Sequence, residues 1–393
     1  MTKICIIGGG ASGMMSAIII ASKNPLIDIT IIEKKEKLGS KLYATGNGRC
    51  NISNSNCDTF GETCKVFRKV GVEIKITEEG RAYPVSEQAK DVVFALETAV
   101  KAYGINIIVN HAATDVKPMK NGKYKVLLGK KEMDFDGVIL ATGGKCAAHF
   151  GTTGDGYKLA TNLGHKVNKL IPALVPIECS NKFIGSISGV RVKAKVTLKR
   201  KGQIVDEQVG EIQFTKDGLS GIAIFNMSSY VRIGNGLKFS SYNVVLDLIA
   251  QYKNAEILYI LSLRRNIKGL KTADLFNAIV NRQIASRLLK EVSENKPDAS
   301  NLTGEDLEKI VNLFRNVNFE VTGVKGWKEA QCTAGGVDFD QFDKDTMESK
   351  IYKGLYFVGE VIDYDGPCGG YNLENAWVTA RKAGKAICTE YTK

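Results

Sequence analysis

Histidine, tryptophan and proline are scarce in this chain of 393 residues, which holds three, two and seven of them. Three histidines, His111, His149 and His165, leave no acid–base pair that the sequence alone can name, and only His149 neighbours a glycine-rich segment, where a structural role is expected. Seven prolines against forty glycines mark a turn-rich chain rather than a disordered one. Cysteine occurs nine times, an odd number without one CxxC pair, so neither a disulfide framework nor a zinc ribbon is indicated. A reducing cytoplasm and no bound metal are expected. The apolar stretch Met14 to Ala21 falls far short of the ~20 residues that span a bilayer, so neither a membrane span nor a signal peptide is expected.

The length suits two or three domains at ~100 to 200 residues each and excludes a single small binding module. The net charge of +12 is unevenly placed. Residues 181–290 carry 18 Lys and Arg against 7 Asp and Glu, whereas 331–393 carry 7 against 10. From Ser188 the chain alternates, with Val190, Val192, Ala194, Val196 and Leu198 facing one way and Arg191, Lys193, Lys195, Thr197 and Lys199 the other, as in an antiparallel sheet or barrel. That segment lacks the interleaved aromatics of a base-stacking platform, so nucleic acid is not expected as the partner.

Elsewhere the pattern is α/β. Ile4 to Ile7, Ile29 to Ile32 and Val138 to Ala141 read as buried strands, separated by helical runs up to Gly164. Helices are expected between Ala255 and Asn316, one opening at Thr303, followed by a strand at Leu355 to Val358 and a last helix from Asn372 to Thr389. The expected organisation is a dinucleotide-binding domain at 1–187 and 331–393, a β-barrel insertion at 188–254 and 317–330, and a helical insertion at 255–316.

The chemistry is concentrated in GGGASG, which lies between the first strand and the helical run Met14 to Ala21. Gly8 permits the tight turn, Gly10 lets the backbone approach a pyrophosphate, and Gly13 lets helix and strand pack closely. Ala11 and Ser12 sit at the helix start, where free N–H groups face an anion. Glu33, twenty residues beyond Gly13, stands at the end of the next strand, where an acid binds the hydroxyls of an adenosine ribose. Lys34 follows it. This fingerprint alone does not separate NAD from FAD. VILATGG, with Ala141, Thr142 and Gly143, and GLYFVGE, with Gly359 and Glu360, add two strands of the kind that pass the cofactor in large flavoproteins, and favour FAD.

Longer motifs carry a resemblance: GSKLYATGNGRCN at Gly39 to Asn51, GTTGDG at Gly151 to Gly156, PALVPI at Pro172 to Ile177, TAGGV at Thr333 to Val337, and GEVIDYDGPCGGYNLENAW at Gly359 to Trp377. Over nearly its whole length the chain resembles the FAD-binding enzymes that include aminoacetone oxidase and the flavoprotein reductases of 3-dehydro bile acids. The resemblance implies an FAD-binding dinucleotide fold interrupted by a small β-barrel and a helical lobe, with the insertion covering the flavin.

Within these motifs Lys41, Asn47, Gly48, Arg49, Cys50 and Asn51 are candidate cofactor contacts, Arg49 because its fork of donors suits phosphate or a flavin edge. Ala113 aligns with the position whose backbone contacts adenine in such folds. Asp155 is read equally as a cofactor-side turn or an ordinary turn former. Gly370, Tyr371, Asn372 and Leu373 form a turn and helix start whose dipole would stabilise negative charge on a reduced flavin. Cys50, Cys146 and Cys368 lie in or beside these motifs but have no CxxC partner, and no catalytic side chain is assigned. The expected function is an FAD-dependent oxidoreductase of a small organic substrate, leaning to reduction of a conjugated double bond in an anion such as a dehydro bile acid. Amine oxidation, an RNA-binding or RNA-modifying flavoprotein, and a flavin-binding regulator without turnover are the alternatives. With one GxGxxG, and IGNGLK at Ile233 to Lys238 completing no second one, NAD(P)H is expected only as a transient donor.

Overall fold

The computed structural model describes residues 1–180, 184–231 and 238–391. Of the Ile233–Lys238 segment, all but Lys238 lies outside the described residues. The chain divides into two compact units, Met1–Ala173 with Trp327–Lys393, and Leu174–Gly326.

The first unit is built on a five-stranded parallel sheet in the order Leu355–Phe357, Gly137–Leu140, β1 (Lys3–Ile7), β2 (Asp28–Ile32) and Asn106–Ile108. These strands are near-continuous apolar runs because helices cover the sheet. Helix α1 (Ala11–Lys23) is buried without interruption from Ser12 to Ala21, which is why its sequence shows an apolar block and little amphipathic pattern. It packs against the C-terminal helix Tyr371–Glu390, where Gly384 gives the close approach: a Cβ there would meet Ile19 Cγ2 at 2.7 Å. An antiparallel meander, Asp115–Pro118, Tyr124–Leu128 and Lys131–Phe135, leads back into the sheet.

The second unit contains a closed six-stranded antiparallel barrel: Ile177–Ser180, Gly218–Ser220, Gln203–Phe214, Arg191–Arg200, Tyr242–Asp247 and Val317–Val324. The unit begins ahead of the change of texture at residue 188, because its first barrel strand is too short to display an alternation. Along Arg191–Arg200, Ala194, Val196 and Leu198 are buried, as their alternation requires. On the other face Arg191 pairs with Glu211 at 2.7 Å and Lys195 with Glu207 at 2.9 Å, so part of the basic excess is locally compensated. Helices Asn254–Arg265, Arg282–Leu288, Lys290–Asn295 and Gly304–Arg315 make up the helical portion. The last opens with a capping box, in which Thr303 Oγ1 accepts from Asp306 N and Thr303 N donates to Asp306 Oδ2. Among the described residues no helix is long and apolar enough to cross a membrane, and no cluster of His, Cys, Asp and Glu is arranged to hold a metal.

Candidate active site

β1 ends at a turn that only glycine can make. Gly8 has φ +108°, and a Cβ on it would lie 2.4 Å from the Ala141 carbonyl oxygen. A Cβ on Gly13 would lie 1.9 Å from the oxygen of Gly8, so these two glycines serve backbone packing. Gly10 is different. Nothing stands within 4 Å of the position its Cβ would take, and as the N-cap of α1 it supplies no side-chain cap, which leaves a bare cradle before the free N–H groups of the first turn. Glu33 sits at the end of β2 with its carboxylate fixed by two backbone donors, Gly9 N to Oε2 at 2.8 Å and Lys35 N to Oε1 at 2.9 Å.

These groups open on one pocket, which encloses about 1280 Å³ of space when its solvent-open mouth is included. Gly8, Gly10, Ala11, Ser12, Glu33, Lys34, Lys41, Ala113, Ala141, Thr142, Gly143, Asp155, Glu360, Asn372 and Leu373 all line it. The hydroxyl of Thr142 is buried there with no partner among the described residues. An open glycine cradle, a helix N-terminus, a fixed acid and an orphaned hydroxyl fit a dinucleotide. Lys34 reaches Thr153 Oγ1 at 2.6 Å and forms an ion pair with Asp155, which opens the helix Asp155–Asn162.

Other expected contacts do not line this pocket. Gly13 and Gly359 act through packing; a Cβ on Gly359 would meet Ser12 Oγ at 2.5 Å. Asn47, Gly48, Arg49, Cys50 and Asn51 belong to a tight loop in which Gly46, Asn47, Gly48 and Cys50 all have positive φ. None of these five lines the pocket: Cys50 is fully buried, and the Arg49 guanidinium lies 4.6 Å above the Tyr83 ring. Asn51 Oδ1 is buried with no partner among the described residues. Gly370 is packed against the Ser53 carbonyl, 2.2 Å from where its Cβ would be, and Tyr371 opens the last helix without lining the pocket. Asn372 lines it, yet its carboxamide is occupied in a two-way clamp on the backbone N–H and C=O of Gly366, both at 2.9 Å.

Several wall residues were not singled out individually in the sequence, although Tyr364 and Asn375 fall within the Gly359–Trp377 motif. Gln331, Cys332, Tyr364 and Asn375 line the pocket, and it is His111, not His149, that reaches it. His165 is buried against Ser349 Oγ at 2.7 Å, and burial holds its pKa below the usual value.

A second charged cluster stands in the wall, apart from Glu33 and the Lys34–Asp155 pair. Lys41 Nζ donates to Glu360 Oε2 at 2.7 Å and to Cys146 Sγ at 3.0 Å. Glu360 Oε1 accepts from Thr333 N at 2.8 Å and lies 3.4 Å from Cys146 Sγ. Burial opposes the charge on Lys41, but Glu360 and Cys146 outweigh it and hold the ammonium above its usual pKa. Burial, with Glu360 second, pushes the Cys146 thiol up to about 11, so it is a neutral thiol and not a nucleophile at ordinary pH. Burial, with Glu360 second, also holds the Cys332 thiol well above its usual value.

The sequence profile of the HI0933-like protein Rossmann domain matches residues 2–60 and 58–386. The chain belongs to this HI0933-like family. Its relatives include the 3-dehydro-bile acid delta(4,6)-reductase of Clostridium scindens, 32% identical over 98% of this chain and 99% of that protein. The ribosomal RNA dihydrouridine synthase of Haemophilus influenzae is 24% identical over 97% of each. Among solved structures, the 3-ketosteroid delta1-dehydrogenase of Sterolibacterium denitrificans superposes with a TM-score of 0.50 at 12% identity, covering 99% of this chain and 100% of that one, a likeness of fold. The HI0933-like chain is thus matched along both of its units.

Proposed function

We propose that this chain is an FAD-dependent oxidoreductase that saturates a carbon–carbon double bond conjugated to a carbonyl group in a small anionic molecule of steroid-acid type. The observation that carries the reading is the 32% identity, over essentially the full length of both chains, to the 3-dehydro-bile acid delta(4,6)-reductase. The pocket supports the cofactor: the Gly10 cradle and the first turn of α1 would hold the diphosphate, Glu33 the ribose hydroxyls, and the Ala113 backbone the adenine. FAD, when bound, supplies two-electron chemistry at its flavin ring, and the protein supplies position and electrostatics. Apolar wall residues such as Ile7, Ile32 and Leu159 offer packing, Thr142 an unused hydroxyl, and Lys41 charge. NAD(P)H is proposed as a donor that visits the site rather than occupying a domain of its own.

A second reading, reduction of uridine in RNA, is favoured by the relationship to the ribosomal RNA dihydrouridine synthases. It shares the chemistry, since dihydrouridine is uridine whose ring double bond, conjugated to a carbonyl, has been saturated. The test begins with the flavin reduced anaerobically by NADH, NADPH or dithionite. Reoxidation by a 3-oxo-4,6-diene bile acid and not by unmodified ribosomal RNA is expected. Reoxidation by RNA alone supports the second reading, and reduction of the oxidised flavin by aminoacetone overturns both in favour of amine oxidation.

A further inference from the structure

Lys41, Cys146, Thr333 and Glu360 come from four distant stretches of sequence and meet at the pocket wall. The donors and acceptors within this cluster are unequally used. Both oxygens of Glu360 are taken, Oε2 by the Lys41 ammonium and Oε1 by the Thr333 N–H, with the Cys146 sulfur beside it. The ammonium has three N–H groups. Two are directed to Glu360 and Cys146, and the third has no described partner, although Lys41 lines the pocket. Cys146 lies fully buried beside them and, as a neutral thiol, accepts from the ammonium without cancelling its charge.

We propose that Lys41 is the cation that favours the electron-rich, reduced form of the flavin, with Glu360 and Cys146 as positioning residues that aim it. This step rests on the FAD reading above. Two-electron reduction places negative charge on the ring, and a positive group in a partly desolvated wall acts on such charge far more strongly than one in water. A compact ammonium with a free N–H serves as a point charge, and the two fixed contacts remove its freedom to swing into solvent. A purely structural ion pair that only ties two segments together would show a different pattern, since removing either partner would then do the same harm.

The experiment is spectroelectrochemical titration of the purified holoprotein, after FAD content and thermal midpoint have been measured for each variant. In Lys41→Met the preference for reduced flavin should fall at least tenfold, about 30 mV for a two-electron couple. Lys41→Arg should stay within threefold of the parent. Glu360→Gln removes the neighbouring negative charge while keeping an acceptor for Thr333, so its potential should move the opposite way, upward. Shifts of the same sign in Lys41→Met and Glu360→Gln, or none beyond threefold in either, would overturn the proposal. If Lys41→Met does not fold, the sign for Glu360→Gln decides, a zero or negative shift being fatal. Absence of FAD from the unmodified protein would instead defeat the cofactor reading before any potential is compared.

Discussion

Gly13 and Gly8 touch backbone to backbone: a Cβ on Gly13 would lie 1.9 Å from the Gly8 carbonyl oxygen, whereas one on Gly10 would meet nothing within 4 Å. Two glycines of one motif therefore predict opposite phenotypes. Gly13→Ala should lower the thermal midpoint sharply or prevent folding, because backbone must shift. Gly10→Leu, at φ −80°, needs no unusual backbone and should fold with a midpoint close to the parent while losing FAD, since its side chain fills the cradle. Heating curves and FAD released on denaturation check both.

The Glu33 carboxylate accepts one backbone N–H on each oxygen. In Glu33→Gln one of those donors must face an amide nitrogen instead. A hydrogen bond to a charged group contributes roughly 1.5–3 kcal/mol, so FAD affinity should fall by about ten- to a hundredfold without being abolished. Fluorescence titration of apoprotein with FAD measures it, and unchanged affinity would contradict the assignment.

Glu374 is buried and takes hydroxyl donors from Ser53 (2.6 Å), Thr59 (2.5 Å) and Thr63 (2.7 Å), while Arg381, also buried, donates to Thr63 Oγ1 at 2.6 Å. Glu374→Leu removes the buried carboxylate that lies 3.7 Å from the Arg381 guanidinium, leaving it only the largely exposed Glu62 at 3.9 Å, and a loss of about 3–5 kcal/mol in urea unfolding is expected. The double substitution Glu374→Leu with Arg381→Met should recover part of that loss, and strict additivity would show that the two do not act as a pair.

Alkaline pH should destabilise the protein before any lysine titrates. Burial pushes the thiols of Cys146 and Cys50 up to about 11 and about 12, from an ordinary value of 9.0. In the folded state these groups keep protons that an unfolded chain releases from pH 9 upward, so their contribution is intact below pH 9 and is lost as pH climbs to 11 and beyond. Unfolding free energies from urea titrations at pH 8 and pH 10 should differ by roughly 1 kcal/mol per thiol, and Cys146→Ala should reduce the difference.

The turn at Gly8, the helix behind it and the acid at Glu33 were legible in the sequence because the positive φ of Gly8, the approach of Gly13 to Gly8 and the bond from Gly9 N to Glu33 all fall within one strand–helix–strand unit, although the carbonyl that crowds Gly8 is that of Ala141. Backbone crowding at Gly8 and Gly13 dictates residue type directly. The loop at 47–51 reads as a ligand loop from its glycines and polar residues, and the same residue types also suit its run of positive φ, in which Cys50 is buried while Asn47 and Arg49 are exposed. The Lys41 cluster has no local pattern at all. Lys41 lies 105 residues from Cys146 and 319 from Glu360, and only the closing of the sheet brings them together. The barrel's first strand, Ile177–Ser180, is too short to show an alternation, and its partners Gly218–Ser220 and Val317–Val324 lie far along the chain, so it too was hidden.

The parallel sheet and the pairing of α1 with the C-terminal helix have a consequence for how the protein is made. The first unit takes its edge strand Leu355–Phe357, the helix that covers α1, and the Glu374 contacts to Ser53, Thr59 and Thr63 from residues synthesised after everything else. The unit 174–326, by contrast, is one uninterrupted stretch. On the ribosome the order of completion is therefore inverted: the domain begun first waits, with the apolar face of α1 uncovered, while the domain begun second can close. That interval is when the nascent chain is most exposed to aggregation and chaperone capture, and a stalled or truncated product ending before residue 355 would carry a finished barrel joined to an unfinished nucleotide fold.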